Sequence, residues 1–230
     1  MPIYRLFFSL CLFAACNAQN QPKNQISAFA PKQAHYYLRF VETSAQLHTE
    51  ISFFADTGSI ATPKGLFLNG QDPIPLKPSP NNKNQYKLSK VETAPQPVYW
   101  VYYPTNNPAD SLRNRDTLSL PLLNKISLAR EALSKQTGTA ILWQGAALSR
   151  QDKIQIQITD SKGETLTINQ VGLDGAQNIP IQPQGLDVLA NGKGSIKLFI
   201  QRIINKNASD FARQFVTEYY PKEIPIIIQN

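Results

Sequence analysis

An all-β fold is what this sequence predicts, and three observations carry the prediction. Apolar residues alternate with polar ones over strand-length runs. Clusters of Gly, Pro, Asn and Asp separate those runs, and a helical apolar period occurs at one place only. Grouped along the chain, the runs give two antiparallel β-sandwich domains over residues 34–122 and 123–230, with one short helix near 209–220.

In the first half, Tyr36, Leu38 and Phe40 alternate with Tyr37, Arg39 and Val41, and Leu47, Ile51 and Phe53 recur among polar residues. Apolar runs follow at Gly65–Leu68, Tyr86–Val91 and Val98–Tyr103. Asp56-Thr57-Gly58, Asn69-Gly70, the proline-rich 72–80 and Asn81-Asn82 are the turn signals between them. Leu118, Leu120 and Leu122 alternate once more, as a last strand or as the connector between domains.

The second half is cleaner. Ile154, Ile156 and Ile158 alternate with Gln155, Gln157 and Thr159, the pattern of a half-buried strand. Ser161-Lys162-Gly163 turns the chain into Thr165–Ile168. Ile196, Leu198, Ile200 and Ile203 mark a long strand, and Glu223–Gln229 a final one. Phe211, Ala212, Phe215, Val216 and Tyr219 instead follow a helical spacing, with Ser209 as N-cap and Pro221 as stop. That spacing is the source of the expected helix.

The N-terminus has a different texture. Arg5 precedes a mostly apolar stretch, Leu6–Ala15, too short to cross a hydrocarbon core ~30 Å thick. It ends in Leu12-Phe13-Ala14-Ala15-Cys16, which resembles the lipobox of bacterial lipoproteins, with Phe13 where leucine is usual. The resemblance implies a signal peptide over residues 1–15, lipid on Cys16, and membrane anchorage in the cell envelope. Asn17, rather than Asp, after the cysteine points to the outer membrane. Residues 16–33, rich in Asn and Gln, read as a flexible tether.

Cysteine and charge limit what the protein can be. The only two cysteines, Cys11 and Cys16, lie in or at the end of the leader, so neither disulfides nor a Cys-type metal site can form in the body of the chain. The net charge of +7 includes Arg5 and contains no basic run, so nucleic acid is not an expected partner. His35 and His48 stand in the opening strands without acidic neighbours at ligand spacing, and no metal or cofactor is expected.

A second resemblance concerns the fold. Thr137–Trp143 (TGTAILW) looks like the second strand of fibronectin type III and related immunoglobulin-like modules, where a tryptophan fills the core between sheets. Leu186–Leu198 (LDVLANGKGSIKL) is similar to that family's turn into its sixth strand, with Asn191 in place of its proline. No tyrosine stands near Ser195 or Ile196, so the family's tyrosine corner is missing. The resemblance implies an immunoglobulin-like second domain without catalytic machinery, and Trp143 as a core residue.

Two short motifs could carry chemistry. Phe54–Ser59 resembles the catalytic turn of aspartic proteases, which makes Asp56 the candidate of an enzymatic alternative. Such a dyad needs two carboxylates sharing a proton, and Asp160-Ser161 is followed by Lys162 rather than Gly. The turn reading is favoured, and no catalytic residue is assigned. Gly192-Lys193-Gly194-Ser195 lacks the spacing of a phosphate loop and reads as a tight turn.

The aromatic run Tyr99, Trp100, Tyr102 and Tyr103 is the candidate binding surface. In a strand, Val98, Trp100 and Tyr102 face one way while Tyr99, Val101 and Tyr103 face the other, and only one face can line a core. The other must be covered by protein or by a ligand such as a sugar. The sequence therefore predicts a non-enzymatic, lipid-anchored envelope protein acting as a binding or scaffold module, its partner an envelope protein or a glycan.

Overall fold

Alternation of burial along each strand builds this fold. The structure, a computed structural model, describes residues 32–54, 66–68, 78–79, 82–91, 98–102, 115–207 and 211–230. Its strands in the first half are β1 (Gln33–Val41), β2 (Gln46–Phe54), β3 (Leu66–Leu68), β4 (Pro78–Ser79), β5 (Asn82–Val91), β6 (Val98–Tyr102) and β7 (Arg115–Leu118). Then come β8 (Leu123–Leu128), β9 (Leu133–Ser134), β10 (Thr139–Gly145), β11 (Asp152–Thr159) and β12 (Thr165–Val171). The last are β13 (Asn178–Ile181), β14 (Gly192–Asn207), β15 (Ala212–Tyr220) and β16 (Ile224–Gln229). The chain is all-β among these residues, as expected.

A ten-stranded sheet dominates, in the order β12-β11-β14-β15-β1-β2-β5-β4, with β16 joined to β14 and β9 joined to β16. Two three-stranded sheets, β13-β10-β8 and β3-β6-β7, accompany it. Ile141, Trp143, Ile179 and Ile181 of the β13-β10-β8 sheet share one core with Ile154, Ile156, Ile158 and Ile196 of the large sheet. Leu38, Phe40, Leu47 and Ile51 of the first half belong to the same core. Trp143 is 4% exposed, and its indole N–H donates to the Ala146 carbonyl at 2.8 Å.

Strand pairing also joins the two halves of the chain. β1 lies parallel to β15 along its whole length, Gln33 opposite Ala212 through Val41 opposite Tyr220. The sheet therefore runs unbroken across the 122/123 boundary expected between domains. Side chains reinforce the junction: the Tyr36 ring stacks on Phe215 at 4.8 Å, and its hydroxyl donates to the buried Asp116 carboxylate at 2.5 Å. Arg213 approaches the same carboxylate at 3.2 Å, tying β7, β1 and β15 together. β9 and β16 also pair in parallel, so the sheet is mixed rather than purely antiparallel.

The helix expected near 209–220 is instead strand β15. Phe215, Thr217 and Tyr219 are buried while Val216, Glu218 and Tyr220 are not, a period of two. The polar Thr217 on the buried face hid that alternation, and β-branched and aromatic residues favour the pleated surface. Pro221 ends the strand as it would have ended a helix. Gly192–Ser195, expected as a tight turn, opens β14 and pairs with β16. Gly194 is required there because a Cβ would lie 2.5 Å from the Thr159 carbonyl oxygen.

Two buried carboxylates fix the second half. Asp160, after β11, accepts backbone N–H groups from Lys162, Glu164 and Ala190 at 2.7, 3.0 and 2.6 Å. These bonds, the one from Ala190 foremost, hold its carboxyl below the usual carboxylate range. Asp152, wholly buried, receives the Arg202 guanidinium in a fork at 2.6 and 2.8 Å, which clamps β11 to β14.

Candidate functional site

Tyr99, Trp100 and Tyr102 lie in β6, the middle strand between β3 and β7. The register sets Trp100 opposite Leu68 and Asp116, and Tyr99 opposite Thr117. Tyr103, Asp56 and Cys16 lie outside the described residues. His35 sits beside Phe54, with ring centres 4.7 Å apart, while His48 reaches the large sheet's solvent side.

That solvent side is the more developed surface. Core-facing positions of β11, β14, β15, β1 and β2 are mostly apolar, so by strand alternation their neighbours form a second, outward face. One row of register partners crosses seven strands: Val171, Lys153, Gln201, Glu218, Arg39, His48 and Ser89. Beside it runs Asn169, Gln155 and Phe199, and the Phe199 ring meets Tyr220 at 4.9 Å. Val171, Lys153, Arg39 and Ser89 of that row are exposed, and Gln201, Glu218 and His48 are half-buried.

Hydrogen bonds hold its side chains in place. Glu218 is the hub: it accepts Tyr37 Oη at 2.6 Å, Gln201 Nε2 at 3.0 Å and Tyr220 Oη at 3.5 Å. The Arg39 guanidinium lies 4.8 Å over the Tyr220 ring. Glu50 accepts from Gln85 and pairs with Lys87 at 3.3 Å, and the His48 ring contacts Ser89 Oγ at 2.7 Å. At one end a cleft of about 390 Å³ opens between β12, β11 and β14, lined by Lys153, Gln155, Asn169, Val171, Phe199 and Gln201.

Burial and neighbouring carboxylates set the protonation of the face. Burial, then the Glu218 carboxylate, push the Tyr37 phenol well above its ordinary range, so it stays a donor at neutral pH. Tyr220 is raised by the same two causes. Burial lowers the His48 imidazole, with Glu50 opposing only in part, so the ring is neutral at physiological pH. The face thus offers aromatic planes, amide groups and phenol oxygens whose single O–H is given to Glu218.

Sequence reasoning directed attention to β6 and missed this face. The signal was present in the out-of-phase aromatics: Tyr37, Phe199 and Tyr220 each stand where strand alternation calls for a polar residue. What the sequence alone could not supply was the strand order that makes them neighbours.

No family model matches the chain, and no curated protein matches it. Among solved structures it is similar to a tetra-tandem repeat in the extending region of a large adhesion protein, at 11% identity and a TM-score of 0.28. That alignment covers 83% of this chain and 49% of the other. It is also similar to the chicken CNTN1 FN1-FN3 domains, at 7% identity and a TM-score of 0.28, over 87% of this chain and 65% of that one. The chain spans about half the length of the first structure and less than two thirds of the second. Neither superposition is close, and the fold described above rests on its own strand pairing.

Proposed function

We propose that this protein is a non-enzymatic module of the cell envelope, anchored by lipid at Cys16, that binds an envelope partner through the outward face of its large sheet. The face itself is the observation that carries the reading. Surface strand positions with no role in a core ordinarily hold solvated, independent side chains. Here Tyr37, Glu218, Tyr220, Arg39 and Gln201 are locked into one hydrogen-bonded and stacked array. An array of this kind presents a preorganised surface, which lowers the ordering cost of binding.

The anchor follows from the sequence. Leu12–Cys16 supplies the lipidation pattern, and the Asn- and Gln-rich 17–33 supplies reach from the membrane. One lipid-modified cysteine carrying several acyl chains holds a protein to a bilayer where a single chain would not.

Capture from detergent-solubilised envelope tests the reading. The parent protein is expected to retain a defined partner that an Arg39→Ala/Tyr220→Ala variant loses, with unchanged melting temperature. Equal capture by both would overturn it. Separately, Cys16→Ala is expected to move the protein from the membrane fraction to the soluble one. A parent without lipid by mass spectrometry, together with a variant that stays membrane-bound, would remove the anchor.

A further inference from the structure

We infer that the cleft at the β12-β11-β14 end of the outward face is a carbohydrate site for a short, neutral oligosaccharide. The inference rests on the binding role proposed above and names the chemistry of the ligand. Phe199 is the starting point. Its residue position faces outward on β14, it is half-buried, and one side of it packs against Tyr220 while the residue also lines the cleft. An aromatic ring braced in this way gives a flat apolar platform at little entropic cost, suited to the C–H face of a sugar ring.

The rim of the platform matches sugar hydroxyls. Gln155 Nε2 donates to Asn169 Oδ1 at 3.1 Å, and Gln201 Nε2 donates to Glu218 Oε1 at 3.0 Å. Each bond fixes an amide while leaving other donor and acceptor positions free: the Gln155 and Gln201 oxygens, and the Asn169 nitrogen. Hydroxyl groups both donate and accept, so a polyol satisfies such a mixed set, whereas a purely anionic or cationic ligand does not.

Other ligand classes fit less well. The cleft holds one cation, Lys153, too few for a phosphate backbone. An extended peptide could pair only along the free outer edge of β12, because over the cleft itself β11 and β14 spend their backbone groups in the ladder with their neighbours. The row Asn169, Gln155, Phe199 and Tyr220 crosses four adjacent strands, about 14 Å at the usual strand spacing. That length suits a few linked sugar rings lying across the strands.

The test is calorimetric titration of the full mature protein in detergent with hexasaccharides of glucose, xylose, mannose and N-acetylglucosamine. At least one is expected to bind, and Phe199→Ala to weaken it by about tenfold or more. Gln155→Ala/Asn169→Ala, at outward-facing positions outside the core, is expected to weaken it several-fold with an unchanged melting temperature, which separates recognition from folding. Tyr99→Ala in β6 is expected to leave it unchanged. Binding of none of the four, or binding insensitive to both cleft variants, overturns the inference. If no sugar binds while envelope capture still depends on Arg39 and Tyr220, the sugar chemistry fails and the binding role stands. If both fail, the binding role falls with it.

Discussion

Trp143→Ala is expected to destabilise the protein by about 3–5 kcal/mol in denaturant melts, the range for truncating a buried Trp or Phe. The indole is 4% exposed and lies between the β13-β10-β8 sheet and the ten-stranded sheet, among Ile141, Ile179 and Ile181. Alanine removes the ring and leaves a cavity that strands, held in register on both sides, cannot collapse to fill. The same change orphans the Ala146 carbonyl, which accepts the indole N–H at 2.8 Å. Trp143→Phe keeps most of the volume and loses the donor, so its cost is expected to be smaller, about 1–2 kcal/mol. A loss below ~1 kcal/mol for Trp143→Ala would contradict the packing of the two sheets.

Arg202→Met is expected to cost a comparable amount, about 3–5 kcal/mol, for a different reason. Methionine keeps the apolar stem but removes the guanidinium that meets Asp152 at 2.6 and 2.8 Å. Asp152 has no solvent exposure, and its carboxylate would then keep one strong bond, from the Ser149 N–H at 2.7 Å. The penalty is therefore mainly that of a stranded buried charge. It follows that Asp152→Asn/Arg202→Met will be more stable than Arg202→Met alone, because the double variant has no charge to strand. Chemical melts of the three proteins check this; a double variant no better than the single would show that the guanidinium acts through packing instead.

The sequence reading and the structure part company where contacts are distant. Local alternation located β1, β2, β5, β11, β12, β14 and β16, because Ile154, Ile156 and Ile158, and runs like them, carry their burial in their spacing. It failed at β15, where Phe211, Phe215 and Tyr219 satisfy a helical period while Phe215, Thr217 and Tyr219 satisfy that of a strand. Only the neighbours β1 and β14 decide between them. The placement of Trp143 was legible because its strand is apolar and self-contained. The outward face was not, since Phe199, Tyr220 and Tyr37 become one surface only when β14, β15 and β1 lie side by side. Nothing in the sequence of β1 names a partner strand more than 170 residues away, such as Glu218 opposite Arg39.

The parallel pairing of β1 with β15 is thus the contact on which the whole account turns, because the outward face crosses both halves of the chain. A cross-link measures it directly, since no cysteine follows Cys16. In a Cys16→Ala background, Arg39→Cys/Glu218→Cys places two thiols at register partners on neighbouring strands. Their Cα atoms would sit about 5 Å apart, within the span a disulfide bridges. Arg39→Cys/His48→Cys, partners within the first half, serves as the positive control. The account predicts near-complete intrachain disulfide formation for both pairs under mild oxidation. Cross-linking of the control alone would show that the two halves do not share a sheet, and the binding face would not exist.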